Sequence, residues 1–557
     1  MTKTQKRWTL VAVILGSGIV FLDTSVVNLA LPQIAKELEP AWISLGALEA
    51  QAYVANGYFI TLSALLILAG ALTDFHGRRK MFSIGLGGFL VTSLLCGIAP
   101  NMELLILFRI LQGATGALVV PGSLAIISAS FEGEEQGRAF GIWAGASAAT
   151  TIIGPFVGGV LVNTISWRAA FLLNVPLLLV AIWACLRYVP ESRDEEATGR
   201  FDWLGSLVVI VAVSGLAFGT IRGQQTDWRE GLAFVSLGIG AAAAVTFPIL
   251  MRRARNPLVP LALFASRNFS VTNLSTFVIY GALYVTLTFS GLFMIATLGY
   301  SEPAAGLATI PATLLLALFS TRFGRMAARH GPRRYMAAGP AVMGMALLWY
   351  LRIPSTSEPW IVGTGEGRSL LPPIDYFVDF LPALVVFGAG LMIMVAPLTT
   401  ALMTSVPRQR SGVASAINNA ISRVGSPLIT AAIFVAVVSS FYGVIGDRVP
   451  NADTSSPTFR RQVAPLNVQT APRDVREAAR DASTSAFRLA MLVAAGLLFA
   501  GAAVNLRISN RQALEHSGEG PPPRPSPNEE RHEEAAALAP APACVVCGEE
   551  IVEPHAH

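Results

Sequence analysis

The chain has 557 residues, 53% of them hydrophobic and only 13% charged, with a formal net charge of +5. So little charge cannot cover a water-soluble surface of this size, and the basic residues fall between apolar blocks rather than in one patch, which argues against nucleic-acid binding. Four cysteines, Cys96, Cys185, Cys544 and Cys547, two of them inside apolar blocks, imply no disulfide framework.

The apolar residues come in blocks long enough for a helix to cross a hydrocarbon core about 30 Å thick. In lipid a spanning segment must satisfy its own backbone hydrogen bonds, so these blocks read as helices. Fourteen are predicted in chain order, at 8–30, 51–72, 81–99, 104–127, 138–162, 169–187, 204–221, 231–250, 270–293, 304–321, 335–351, 380–403, 412–438 and 486–506. The first is long and ends in no small-residue cleavage site, so it reads as a retained span. The short loops on one side carry 21 basic residues and those on the other, up to the twelfth span, carry six. The positive-inside rule then puts both termini in the cytoplasm; the long basic loop at 439–485 is not counted by it.

An internal repeat joins the two halves. Residues 70–80 read GALTDFHGRRK and residues 324–334 read GRMAARHGPRR, each after a second span if spans 1–6 and 9–14 are two six-helix units with spans 7 and 8 between them. The expected organisation is 1–187 as the N-terminal bundle, 188–268 as a linker with two additional spans, 269–506 as the C-terminal bundle, and 507–557 as a disordered cytoplasmic tail rich in Pro, Ala and Glu.

An ionisable group deep in a span costs roughly 2.5–3.5 kcal/mol on insertion scales, so each one asks for a function. Asp23 is the only carboxylate well inside a predicted span, with Thr24, Ser25 and Asn28 nearby. A carboxylate in a partly dry cavity holds its proton more readily than one in water and can exchange it near neutral pH. Arg109 is the second charge, with Gln112 and Gly113 on the same helical face; a guanidinium stays protonated, so its expected part is to bias a carboxylate. At about 1.5 Å per residue, Asp23 lies about 8 Å and Arg109 about 9 Å from the outer face of the core, which predicts that they are neighbours. Arg423, beside Asn418 and Asn419, is a third charge. The alternative for each is a structural clamp between helices. In span 5, Gly141, Gly145, Ala149, Gly154 and Gly158 form one slowly drifting small-residue face, and Pro155 bends the helix. Singly each glycine reads as ordinary tight packing; as a set they suit a helix at a moving interface. Asp74 beside Arg78, Arg79 and Lys80 can form a breakable latch; positive-inside anchoring accounts for part of this cluster but not for the acid.

These residues resemble the major facilitator superfamily, in its branch of fourteen-span drug:proton antiporters, over about residues 8–506. The cytoplasmic-loop motif of that family is matched by Gly70, Asp74, Gly77, Arg78, Arg79 and Lys80, its fourth-helix motif by Arg109, Gln112 and Gly113, and its antiport-associated fifth-helix motif by GPFVGG at 154–159, which includes Pro155 and Gly159. LDTSVVNLALP at 22–32, with Ser25 where Thr is usual, and SWRAAFLLNVP at 166–176 are similar to other family segments. In the second loop copy Ala328 stands in place of the acid, so that copy is not expected to form the same latch.

The resemblance implies an all-α polytopic membrane protein of the major facilitator fold, with two extra helices between its bundles, and a secondary active transporter. The function expected is a proton-coupled antiporter in the bacterial inner membrane, exporting small amphipathic organic compounds and working as a monomer, with the lipid bilayer, protons and the small molecule as partners. Asp23 and Arg109 are the expected coupling pair, Asn28, Gln112, Asn418, Asn419 and Arg423 the cavity candidates, and the loop and fifth-helix motifs the conformational gate. A uniporter or importer of the same fold, or a receptor or scaffold that transports nothing, remain the alternatives. An ATP-driven pump would need a Gly-Lys-Ser/Thr phosphate loop, and no lysine here follows a glycine. No enzyme activity, cofactor, nucleic acid or metal is expected; the Cys544/Cys547 pair with His555 and His557 fits no common zinc spacing.

Overall fold

The computed structural model describes residues 1–38, 47–193, 201–225, 228–363, 369–449, 453–454, 456–468 and 471–510. Its elements in chain order are α1 (Lys3–Glu37), α2 (Ala47–His76), α3 (Arg78–Gly97), α4 (Met102–Ser130), α5 (Gly133–Thr164), α6 (Arg168–Leu172), α7 (Asn174–Tyr188), α8 (Trp203–Gln225), α9 (Gly231–Arg253), α10 (Arg267–Leu292), α11 (Glu302–Ala308), α12 (Ile310–His330), α13 (Arg333–Trp349), α14 (Leu381–Met403), α15 (Ser411–Arg448), α16 (Pro457–Gln462) and α17 (Arg476–Asn505). No sheet forms among the described residues; one isolated bridge joins Ala464 and Asn467. Twelve of the helical segments are long and apolar enough to cross a membrane. Two further helices stand where the fifth and eleventh spans are predicted: α5, with 32 residues, and α13, whose 17 residues continue into a 3-10 turn at Tyr350–Arg352.

Two bundles result. One packs α1–α7 around Phe82, Phe89 and Phe140. The other packs α10–α17 around Phe289, Phe441 and a stacked pair, Phe293 and Phe487, with ring centroids 4.1 Å apart. The outer faces expose large apolar side chains such as Leu179, Trp183, Phe234 and Ile239, as a surface solvated by lipid does. Between the bundles in sequence, α8 lies against both α2 and α15, and α9 packs on α8. Small residues allow that second contact: a methyl at Gly215 would stand 2.8 Å from the Gly240 Cα.

The repeat seen in the sequence has a backbone counterpart. Gly77 and Gly331, at matching offsets, adopt φ of +107° and +84°, a region that side chains disfavour. At both, the chain turns sharply between two antiparallel helices, α2 to α3 and α12 to α13.

One boundary differs from expectation. The tail was expected to begin at Arg507, but Ile508 is buried, Ser509 exchanges two backbone hydrogen bonds with the Asn268 side chain (2.7 and 2.8 Å), and Asn510 accepts from the Arg333 N–H at 3.1 Å. Four residues are too few to show a periodic pattern, so the sequence carried no sign of this docking. The rest of the expected disordered tail, with Cys544 and Cys547, lies outside the described residues. A chain ending after Asn510 is expected to retain transport, whereas one ending after Asn505 is expected to lose a large part of its membrane-inserted, monodisperse yield. Equal yield and transport for both truncations, measured after purification, would contradict the docking.

Candidate functional site

Asp23 sits where α1 passes α4, and its side chain is fully buried. Arg109 donates to its Oδ2 from Nη1 at 2.5 Å, and the Gln112 and Asn174 side-chain amides donate to its Oδ1 at 3.1 and 2.9 Å. The i to i+3 spacing of Arg109 and Gln112 on α4 puts both on one helical face, where Arg109 also donates to Gln112 Oε1 at 2.7 Å. The guanidinium is further fixed by the Val54 carbonyl at 3.3 Å and by the Tyr58 ring, 4.2 Å from its carbon. Ser93 of α3 accepts from both Gln112 (2.9 Å) and Asn174 (3.3 Å), which ties the cluster together. The predicted neighbours therefore meet, and five helices of one bundle converge on them. A buried ion pair needs its remaining donors and lone pairs met; here the carboxylate accepts at both oxygens, while Arg109 donates from Nε and Nη1 only among the described residues. Beside the pair, Asn174 Oδ1 is a buried oxygen with no hydrogen-bond donor among the described residues.

Gln112, expected to line a cavity, is instead fully buried beside Asp23. Of the other cavity candidates, Asn28 is exposed, Asn418 donates to Thr276 (2.8 Å) and Asn273 (3.2 Å) of α10, and Asn419 bonds back to the Ser415 carbonyl on its own helix. Arg423 is half-buried, lies within electrostatic reach of Tyr58 in the opposite bundle, and has no hydrogen bond or ion pair among the described residues. Ser93 and Tyr58 were not singled out from the sequence, and Asn174 only as part of the family-like segment 166–176, with no role assigned. Uncharged polar residues are common in spans, and nothing in their spacing reveals which of them converge.

The second feature closes one end of the molecule, the end that carries the charged loops, Lys3 and Asn510. Asp74, at the end of α2, accepts from the backbone N–H groups of Gly412 (3.1 Å) and Val413 (2.8 Å). These are free donors because they belong to the first turn of α15, where a carboxylate also meets the positive end of the helix dipole. Arg78 holds the same carboxylate at 3.2 Å and reaches the carbonyls of Gln409 (3.0 Å) and Arg408. Gly70 brings the helices this close: a methyl there would stand 2.5 Å from the Gly412 carbonyl oxygen. Of the four charged residues expected to form a latch, Asp74 and Arg78 make this contact between the bundles. Arg79 and Lys80 turn away, their backbone N–H groups donating to Glu191 at 3.0 and 3.1 Å beyond the end of α7. The missing Cβ of Gly77 makes room for that carboxylate, which would otherwise lie 2.8 Å from it.

A pseudo-equivalent seam joins α5 to α12. Gly137 packs on Gly324 and Ala328, Gly141 on Thr321, and Gly145 on Ala317, where a methyl would stand 2.8 Å from the carbonyl oxygen. Here Ala328 occupies the acid's place and the acids lie across the seam, with Glu134 facing Arg329 at 3.6 Å. The small-residue face of α5 does not serve one moving interface throughout. Gly154 and Gly158 pack on Ser25 and Val26 of α1 in the same bundle, because a stripe of near-four-residue period drifts around a helix of 3.6 residues per turn. The side chain of Pro155, and Gly159, lie outside the described residues. At the rim Glu132 pairs with Arg408 at 2.5 Å. The Arg408 hydrogen bond and charge hold this carboxyl below the usual glutamate range, so the pair persists at neutral pH and is lost as pH falls through that lowered value. Exposed as it is, it contributes at most about 1 kcal/mol.

Sequence comparison agrees with this architecture. The sequence profile of the Major Facilitator Superfamily matches residues 13–430. Multidrug resistance protein Stp of Mycobacterium tuberculosis (strain CDC 1551 / Oshkosh) is 32% identical over 430 residues, 77% of this chain and 75% of that protein. The tetracenomycin C resistance and export protein of Streptomyces glaucescens is 30% identical over 445 residues, 80% of this chain and 78% of its own length. Among solved structures, the human organic anion transporter MFSD10 has a TM-score of 0.56 at 12% identity, covering 91% of this chain and 100% of that one. The proton:xylose symporter XylE gives 0.55 at 15% identity, covering 90% and 95%. At such identities the structures speak for the fold alone. The chain belongs to the major facilitator superfamily, and it is a multi-pass membrane transporter rather than an enzyme.

Proposed function

We propose that this transporter is a proton-coupled antiporter that exports small amphipathic organic compounds across a bacterial inner membrane, with fourteen crossings, both termini cytoplasmic, and the proton gradient as its only energy source. The observation that carries the reading is the fully buried Asp23, held by one guanidinium and two amides. A charged carboxylate this dry is costly unless paired, so binding a proton changes the forces on five helices at once. Relatives described as multidrug resistance and antibiotic export proteins support the direction and class of transport.

In this reading ionised Asp23 locks onto Arg109. Protonation cancels the charge, and Arg109 keeps the Gln112 oxygen, the Val54 carbonyl and the Tyr58 ring. The new carboxyl O–H needs an acceptor, and half a turn of the Asn174 amide would present its unpartnered Oδ1. Arg423, with no hydrogen bond or ion pair among the described residues, is the candidate to meet a polar group of the cargo. The end held by Asp74 and the first turn of α15 is cytoplasmic in this orientation, so it is the end that must part to admit cargo from the cytoplasm. Everted membrane vesicles test the proposal: uptake of a fluorescent amphipathic compound should dissipate an imposed pH gradient and stop when that gradient is collapsed. Uptake unaffected by collapse would refute proton coupling. Fusion of a phosphatase, active only in the periplasm, after Asn510 should give inactive reporter; activity would overturn the topology.

A further inference from the structure

A second site lies apart from the buried carboxylate. Between α2, α4 and α8 is a cavity of about 260 Å³. Its walls are apolar: Ile60 from α2, Ile106 and Ile110 one turn apart on α4, and Phe218 and Ile221 from α8. Two polar residues of α2, Tyr53 and Asn56, are also among its lining, and neither side chain has a hydrogen-bond partner among the described residues. Thr61 is spent on the Gly57 carbonyl at 2.8 Å. Arg222 stands at the edge, its charge met by both oxygens of Glu230 at 2.8 and 3.0 Å.

We infer that this cavity binds the aromatic part of an uncharged amphipathic molecule, the class of compound the transporter exports, through a carbonyl or hydroxyl placed on Asn56 and Tyr53. The inference rests on the reading of the chain as an exporter. Size sets the first limit. A cavity of about 150 Å³ accepts one benzene ring, so this one accommodates about two. Charge sets the second, because the only charged wall residue is already paired by Glu230. The free amide and phenol set the third. A lipid acyl chain here would cover both polar groups without bonding them, whereas a guest with one oxygen atom satisfies them. The site exists only because α8 closes it, which gives one of the two additional helices a task. The α2 segment that forms its floor also carries Val54 and Tyr58, the residues that hold Arg109. A guest against Gly57 and Ile60 therefore presses on the back of the coupling site.

Benzophenone, neutral, two-ringed and bearing one carbonyl, is a photoreactive probe of this chemistry. The full-length transporter in lipid nanodiscs would be irradiated with it and the adducts mapped by peptide mass spectrometry. Adducts should concentrate on the α2, α4 and α8 peptides that line the cavity. They should be nearly absent in Gly57→Leu, which fills the space, and fall about fivefold in Asn56→Leu, which removes one hydrogen bond and leaves the volume. Monodisperse elution of each variant controls for folding, and Asn56→Leu suffices should Gly57→Leu fail to fold. Adducts spread evenly over lipid-facing helices, or cavity adducts undiminished in the folded variants, would overturn the site. Loss of proton-driven uptake in everted vesicles is read separately: retained cavity labelling alongside absent proton coupling would count against the antiport reading and for the site.

Discussion

Asp23→Asn is expected to reduce pH-driven export to the level of vesicles lacking the transporter, while leaving a folded protein. Asparagine keeps the shape of the carboxyl and one acceptor oxygen for Arg109, and the guanidinium retains Gln112, the Val54 carbonyl and the Tyr58 ring. What disappears is the ability to gain and lose charge. Arg109→Ala should be at least as damaging for a different reason. It leaves the buried carboxylate with only two neutral donors, and breaking a buried pair from one side costs about 3–5 kcal/mol, so lower yield should accompany the loss of export. Lysine at 109 would not rescue, since it lacks the fork that reaches Asp23, Gln112 and Val54 together. Asp23→Glu should retain part of the activity. Uphill export by Asp23→Asn with a normal dependence on the proton gradient would remove Asp23 from the coupling step and direct attention to Arg423 and the acids at the span ends.

The second large effect is expected at the closed end. Asp74→Asn exchanges a carboxylate that accepts from Gly412, Val413 and Arg78 for an amide with one acceptor oxygen and two misplaced donors. Charge-assisted hydrogen bonds contribute about 1.5–3 kcal/mol each, so losing one or more should shift the balance between states by at least about tenfold away from the closed end. Gly70→Leu should act in the same direction and further, because no side chain fits between Gly70 and the Gly412 carbonyl. The readout is modification of a cysteine placed at Ser415, a buried α15 position where the change is nearly isosteric, in a background without the native cysteines, by a membrane-impermeant maleimide applied from the cytoplasmic side. Labelling should be slow in the otherwise native protein and at least tenfold faster with Asp74→Asn. Equal rates in the two would mean that the α2–α15 contact does not hold the closed state.

How far the sequence could be read depended on what kind of signal each feature leaves. Asp23 and Arg109 stood out because charges are rare in spans, and a fixed rise per residue was enough to bring them to one depth. Gln112 shares a face with Arg109, yet pattern alone could not say whether that face looks into a cavity or into the bundle. Asn174 and Ser93 complete the cluster through hydrogen bonds that no periodicity encodes. Asp74 stood out as an acid among bases at a helix end, but its partner did not. The acid binds the backbone donors of a helix more than 330 positions away in sequence, and main-chain N–H groups have no signature of their own. The glycine face of α5 was visible as a stripe, while its division between α12 and α1 follows from helical drift and from which helices lie alongside. The same holds for α8: its apolar run predicts a span, and only packing reveals that it lies against α2 and α15 and closes a cavity.

The central claim is that cargo binding and the protonation of Asp23 are linked. It is tested most directly by adding an exported compound to the purified transporter in weakly buffered detergent solution near pH 7 and recording the pH. The native protein is expected to release protons in proportion to the cargo bound, and Asp23→Asn to release none while still binding it. Equal proton release from the two proteins would contradict the account.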